Sequence, residues 1–288
     1  MTVRRLQPAA VRTHAERLRS RDGYFEPDSV IRRIGNTPVT PFLGGGTAVL
    51  LQVAHPLVAA GVAAHSDYRH DLWRRLGHTL RALYLITFGS KREAAQAAAA
   101  VRAVHGHVRG IIAAPLGHYA AGTSYSAEDP ELQLWVHATL VYASLSAYQR
   151  FEQQLTVAEQ ERYYQEMAIV AQLFGVPAAI IPPQLDAFRN YFQAQIEGEA
   201  IHVTPIAREI ARVILEAPLP APLRMIAPAH RLATAAQLPP RLREQYGLRF
   251  TQLHALALPI AARSLRLTAR PLFVVASHLR HNPASLAA

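Results

Sequence analysis

Apolar residues recur every three or four positions along most of this chain, and prolines and glycines separate the segments that show this spacing. The spacing is typical of helices that bury one face, and no run of alternating apolar and polar residues indicates a strand. The pattern therefore predicts an all-α protein. It consists of one helical domain over residues 47–288, preceded by an N-terminal arm over residues 1–46 whose GNTPVTPFLGGG segment is a flexible lead-in.

Helix boundary signals refine this prediction. Thr156 with Glu159 three residues later is a capping box, and Pro130 after Asp129 suits a first helical turn. The predicted long helices are 47–64 with a kink at Pro56, 72–88, 92–112, one from Ser126 or Asp129 to about 151, and one from Thr156 to Gly175. Shorter helices are predicted at 181–196, 203–215 and 221–237, with a last one at 251–277 interrupted at Pro259 and Pro271.

Composition narrows the chemistry. Half of the 288 residues are apolar, enough for one large core, yet no window reaches the roughly 18 uninterrupted apolar residues of a membrane span. The N-terminus has scattered charge and no signal peptide pattern, so we expect a cytoplasmic protein. The absence of cysteine excludes disulfides, thiolate nucleophiles, iron–sulfur clusters and cysteine zinc sites. Histidine and carboxylate side chains are the ligands that remain.

The formal charge of +10 raises the question of an anionic partner. The arginines are dispersed, and no helix-turn-helix, zinc-finger or RNA-binding signature accompanies them, so we expect no nucleic-acid partner. Peripheral contact with a membrane fits these charges better, because a basic protein with a nonpolar substrate gains from lying where that substrate dissolves.

One histidine of the VHGHVRG stretch is predicted to face inward. At 100° per residue, His105 lies within about 50° of the centre of a stripe formed by Ala97, Val101, Val104, Val108 and Ile112, whereas His107 lies more than about 100° away and faces solvent. His105 is then either a core histidine bonded to a carbonyl or a ligand or catalyst.

A polar patch on the preceding helix borders its leucine stripe. Arg75, His78 and Thr79 stand at i, i+3 and i+4 and so share one side of the helix. They form either part of a site or a solvated face, with the arginine extended to water and the threonine bonded to a backbone carbonyl.

Other histidines compete with His105. His137 shares a helix face with apolar residues and is its main rival. His55 precedes Pro56 and could simply satisfy carbonyls that the proline frees, and His65 with Ser66 and Asp67 is expected to cap and turn the chain.

A family resemblance joins these observations. The stretch GGGTAVLLQVAHPLVAAGVAAHSDYRHDLWRRLGHTLRALYLITFG, followed by VRAVHGHVRG, AEDPELQLWVHATLVYASLSAYQRF and ERYYQEMAIVAQLFGVP, resembles the MpaB-type oxygenases. These share their catalytic domain with the bacterial rubber oxygenases, or latex-clearing proteins. The resemblance is close over residues 35–192 and extends to the C-terminal third only as helical character. It implies a globin-like core that holds a non-covalent haem b.

The resemblance also assigns roles. A histidine in an H-x-x-V-R context is the family's proximal iron ligand, which corresponds to His105, and an Arg-x-x-x-Thr pair that flanks the haem corresponds to Arg75 and Thr79. Rubber oxygenases carry a lysine where this chain has His78, which could bind iron as a second axial ligand or donate a hydrogen bond to bound oxygen. His137 and His55 are further candidate cofactor contacts.

The resulting hypothesis is a haem-b-dependent oxygenase that uses dioxygen on a nonpolar, unsaturated or isoprenoid compound, with Asp67 and Glu131 as candidate general bases. An extracellular polymer is a doubtful substrate for a cytoplasmic protein. Three alternatives stay open: a haem sensor or carrier without turnover, a haem-free metal enzyme that uses His55, His105 and His137, and a cofactor-free helical interaction protein.

Overall fold

The computed structural model describes residues 14–37, 40–69, 72–216, 227–260 and 263. These residues form an all-α fold with one short hairpin, which confirms the predicted fold class. The helices are α1 His14–Arg19, α2 Val30–Gly35, α3 Gly45–Val53, α4 Pro56–His65, α5 Leu72–Phe88, α6 Lys91–His105, α7 Pro130–Phe151, α8 Val157–Phe174, α9 Leu185–Glu197, α10 Pro205–Glu216, α11 Ala227–Gln237, α12 Pro240–Gln245 and α13 at residues 252–260.

The caps of α7 and α8 agree with the sequence signals. Asp129 caps α7 by accepting the backbone N–H groups of Glu131 and Leu132 at 2.9 and 3.4 Å. Thr156 and Glu159 form the capping box of α8. Gly175 ends α8 at a φ of +105°, a left-handed conformation that glycine adopts without steric cost.

The predicted kinked helix over 47–64 is wrong. α3 and α4 are separate helices whose axes differ by 105°. Pro56 starts α4, and His55 caps it with an extended backbone, because a proline without an N–H fits a first turn better than a helix interior.

The break between α3 and α4 leaves carbonyls that distant donors satisfy. The Trp135 indole N–H donates to the carbonyl of Leu51 at 3.2 Å. The carbonyl of Leu50 accepts the backbone N–H of Ala54 at 3.1 Å and, as a second donor, the Tyr246 hydroxyl at 2.6 Å. The backbone N–H of His202 donates to Ala54 at 2.8 Å. An interrupted helix end is stable in the core because its carbonyls are hydrogen-bonded.

The helix predicted over 92–112 ends at His105, and the expectation of no strand is wrong as well. Residues Arg109–Ile111 form β1, which pairs antiparallel with β2, Ser124–Ser126. Gly106 and Gly110 disfavour a longer helix, and the β-branched residues around them suit a strand.

The N-terminal lead-in is part of the core, contrary to the expectation of a flexible segment. Thr40–Gly44 is a π-helical turn in which Leu43 is buried. Arg32 is also buried, and its guanidinium donates to the carbonyls of Thr87 and Ser20 at 3.2 and 2.8 Å. A side chain at Gly44 would lie 3.0 Å from the carbonyl oxygen of Ala143, so the turn can approach α7 only as glycine.

Packing centres on α3, which lies against α7, α10 and α11. α5 and α6 form a hairpin at one side, where α6 also contacts α8 and α5 contacts α2 near Phe88. Of the last predicted helix, residues 252–260 are helical, and the segment around Pro271 lies outside the described residues, as does 221–226 of the predicted 221–237 helix.

Among the described residues, no single helix has the length and apolar composition of a membrane span. The bent pair Thr40–Val53 and Pro56–His65 meets these criteria only when both segments are taken together.

Candidate functional site

His105 is the last residue of α6 and lies on its inward side. The buried residues of α6 are Ala94 and Ala98, and at 100° per residue His105 falls within about 20° of their mean direction. The inward orientation agrees with the sequence prediction. Val104 differs from the prediction: it was expected to face inward, but it is 63% exposed. The inward stripe of α6 therefore runs along Ala94, Ala98 and His105.

The ring of His105 is unsatisfied. Its Nδ1 atom is buried and has no hydrogen-bond partner among the described residues. A buried polar atom without a partner costs about 1–3 kcal/mol, which a structure tolerates where a ligand or water completes the bonding. The structure therefore does not show the core histidine bonded to a carbonyl that was the simpler interpretation.

Two charges act on this imidazole. Burial lowers the pKa of His105, the positive charge of Arg75 lowers it further, and the carboxylate of Glu128 opposes these effects. The ring is therefore neutral near pH 7, which is the form that binds a metal. The charge of Arg75 thus acts on the His105 ring, and Glu128 is a residue that the sequence did not indicate.

The polar patch on α5, formed by Arg75, His78 and Thr79, is exposed to solvent. The protein atoms around Arg75 nevertheless lower the pKa of its guanidinium by desolvation. The Thr79 hydroxyl donates to the carbonyl of Arg75 at 3.3 Å, and no hydrogen bond joins His78 or Thr79 to His105 within the described part of the chain.

A cavity of about 180 Å³ lies beside His105. Its lining comprises Arg102, His105, Glu128, Gln133, Phe174 and Gly175. Glu128 and Gln133 were not predicted as site residues: Glu128 lies in the SAEDPEL turn, which served only to locate α7, and Gln133 follows that turn in the first turn of α7. The cavity is large enough for several water molecules beside the Glu128 carboxylate.

His137 is the second unsatisfied histidine. It is 5% exposed, and neither ring nitrogen has a partner among the described residues. Burial lowers its pKa to about 4, so the ring is neutral over the physiological range.

His55 has a structural task instead. Its Nδ1 accepts the backbone N–H of Leu57 at 3.3 Å, so Nε2 carries the proton and faces the Tyr119 hydroxyl at 3.3 Å. Both nitrogens are engaged, which leaves none for iron. Among the described residues no group of three or more histidine and carboxylate side chains is arranged to hold a bare metal ion.

The burial of His55 makes stability depend on pH. Its pKa falls from 6.5 to about 4 in the folded chain, mainly through desolvation, so the unfolded chain takes up the proton first on acidification. We expect its stabilising contribution, on the order of 3 kcal/mol, to be present above pH 6.5 and lost as the pH falls towards 4. Urea unfolding between these pH values measures the slope. His55→Asn keeps an N-cap acceptor without a titrating ring and should reduce the slope by the share of one proton, because His137 and His230 titrate over the same range. An unchanged slope would contradict the assignment.

The other predicted residues lie outside this arrangement. His65 ends α4, with Nε2 3.1 Å from the carbonyl oxygen of Arg109, and His107 is exposed with Nδ1 2.8 Å from the carbonyl oxygen of Ala103. Asp67 and Glu131 are exposed. His230 was not predicted as a buried histidine from the sequence. Burial lowers its pKa to about 4, and its ring lies close to Gly46, where α11 packs on α3.

Comparison with known proteins identifies the family of this chain. Residues 32–270 match the family described as ER-bound oxygenase mpaB/B'/Rubber oxygenase, catalytic domain. Relatives include the uncharacterized proteins Rv2237 of Mycobacterium tuberculosis and Mb2261 of Mycobacterium bovis, each 30% identical over 210 residues, covering 71% of this chain and 79% of the relative. No solved structure matches the chain. Because the family match spans well over half of the sequence, the chain belongs to the MpaB and rubber oxygenase catalytic domain family.

Proposed function

We propose that this protein is a haem-b-dependent oxygenase that acts on a nonpolar substrate. The family is one of oxygenases, which supports an oxidoreductase. The observation that carries the haem assignment is the inward imidazole of His105, neutral, with a buried unpartnered Nδ1 and with Arg75 beside it.

The donor set suits haem better than a bare metal. A haem needs one protein nitrogen on its iron, whereas a bare ion needs several ligands, and the described residues offer His105 without a surrounding cluster. Ala98 and Val101 lie on the same side of α6 as His105, and small apolar side chains of this kind suit the wall that a flat macrocycle and a hydrocarbon both require. The guanidinium of Arg75 is suited to pair with a propionate carboxylate.

The space for the macrocycle has to come from α5. The cavity at His105, about 180 Å³, is smaller than the roughly 300–1,000 Å³ of typical ligand sites. The main contacts of α5 are with α6 and, near Phe88, with α2. Separation of the first half of α5 from α6 would open space between Arg75 and His105.

Bound haem would supply iron-centred activation of dioxygen toward a carbon–carbon double bond. The protein residues would have three separate tasks. His105 would hold the iron through Nε2, Arg75 would pair with a negative group of the cofactor, and Glu128 would accept the Nδ1 proton of His105 through a water that enters when haem binding opens the site. His78 would be either a further ligand of the haem or a hydrogen-bond donor where dioxygen reacts.

A haem sensor or carrier is the second candidate, since the same residues would serve it. Oxygen consumption separates the two functions. Purified protein loaded with haem should consume dioxygen only when an alkene such as squalene or β-carotene is added, and form carbonyl products. Haem binding without alkene-dependent oxygen uptake across such a panel would favour the sensor or carrier.

The proposed link between Glu128 and His105 predicts the effect of Glu128→Gln. An amide is a weaker acceptor than a carboxylate, so we expect haem affinity to fall about tenfold and the iron–histidine stretching frequency of the ferrous protein to decrease. Haem titration and resonance Raman spectroscopy measure both. The matched control is Glu131→Gln, which removes an exposed carboxylate three residues away, outside the cavity lining. Equal effects of the two variants would contradict the link.

A further inference from the structure

The helix α13 is apolar on two opposite sides. Leu258 is buried and packs in a cluster with Leu43, Ala147 and Phe151. Leu253, Leu256 and Ile260 are 76%, 72% and 71% exposed and lie within about 60° of one another at 100° per residue, roughly opposite Leu258. We refer to Leu253, Leu256 and Ile260 as the α13 stripe.

The α13 stripe differs from the other exposed apolar residues. Elsewhere among the described residues the large exposed hydrophobic side chains are Val104, Ile111 and Val157, each on a different element. Scattered apolar residues are ordinary on a protein surface, whereas a contiguous group marks a contact surface. A helix that is apolar on every side normally has a partner on every side.

The charge around the α13 stripe indicates the partner. After Glu244 the sequence contains five arginines and no aspartate or glutamate through residue 288. Arg249 precedes α13 and Arg263 follows it, and both are exposed. An apolar helix face flanked by cations without acidic residues is the composition of segments that lie on anionic lipid.

We propose that the α13 stripe docks the protein on an anionic lipid bilayer. Leu253, Leu256 and Ile260 enter the boundary between headgroups and acyl chains, while Arg249 and Arg263 pair with lipid phosphate and carboxylate groups. Nucleic acid would use the arginines but leave the stripe in water. A symmetric second copy would bring the same basic segment against itself, which is electrostatically unfavourable.

Vesicle flotation with the full chain tests this docking. We expect binding to vesicles of phosphatidylcholine with phosphatidylserine, little binding to phosphatidylcholine alone, and weaker binding at high salt. The triple variant L253Q/L256Q/I260Q should reduce binding about tenfold or more, since it removes the apolar insertion. The matched control V104Q/I111Q/V157Q removes three similarly exposed apolar side chains and should bind like the unaltered protein.

Any partner of the α13 stripe other than a lipid bilayer gives a distinct result that overturns the proposal. A second copy would show as a dimer in sedimentation equilibrium that the triple variant converts to a monomer. If the chain's own residues 264–288 cover the stripe, the triple variant should be less stable to urea than the unaltered protein, and neither protein should bind vesicles. Equal binding by the triple variant and the unaltered protein also overturns it. The haem-free protein serves in all of these measurements, so their outcome is independent of the cofactor assignment.

Discussion

Replacement of His105 by alanine is expected to strip haem from the protein. The substitution removes the nitrogen proposed to bind iron, and it also removes the buried Nδ1 that lacks a partner. Haem retained after gel filtration, measured by its absorption band near 400 nm, should fall about tenfold or more. The haem-free variant should unfold within about 1 kcal/mol of the unaltered protein, because the loss of an unsatisfied polar atom offsets the lost packing.

His107 provides the control for this result. It lies two residues away, is exposed, and contacts the backbone carbonyl of Ala103, so His107→Ala should retain the band. A band that survives in His105→Ala and disappears in His137→Ala would move the iron ligand to α7, where the other unsatisfied imidazole lies.

Replacement of Trp135 by alanine is expected to cause the largest loss of stability. The indole is 1% exposed, stacks on Phe192 with ring centroids 5.6 Å apart, and donates to the carbonyl of Leu51. Truncation leaves a cavity between α7, α3 and α9 and costs about 3–5 kcal/mol in the free energy of unfolding. Urea unfolding followed by circular dichroism measures this loss.

Two variants separate the contributions of the indole. Trp135→Phe keeps a ring beside Phe192 but loses the hydrogen bond to Leu51 and the volume of the second ring, so it should cost less than the alanine variant, about 1–3 kcal/mol. Val157→Ala truncates a side chain that is 76% exposed and should change stability by less than about 0.5 kcal/mol. A loss in Trp135→Ala no larger than that in Val157→Ala would show that the indole does not support the core.

Local signals predicted those parts of the fold that local interactions control. α7 and α8 begin at Asp129 and Thr156 because a side chain satisfies the first backbone N–H groups there, whatever the rest of the chain does. The inward side of His105 followed likewise from helical spacing. The family resemblance then gave the catalytic domain as a whole, which residue spacing alone could not have done.

Features that depend on distant contacts could not be predicted in this way. The break before Pro56 needs donors from Trp135 and His202, far along the sequence. Val104 is exposed because α6 has its neighbours on the alanine side, which no single-helix pattern reveals. Glu128 and Gln133 reach His105 only because the β1–β2 hairpin brings the start of α7 back to the end of α6.

The hydrogen bonds that distant donors make to the carbonyls between α3 and α4 have a consequence for folding during synthesis. One of these donors, the backbone N–H of His202, lies far along the sequence from the carbonyl of Ala54 to which it is bonded. Until the ribosome has released that histidine, the carbonyl at this break lacks its partner, and contacts of such long sequence separation form slowly. Nascent chains should therefore stay sensitive to protease until synthesis has passed this histidine, and depend on chaperones during that interval.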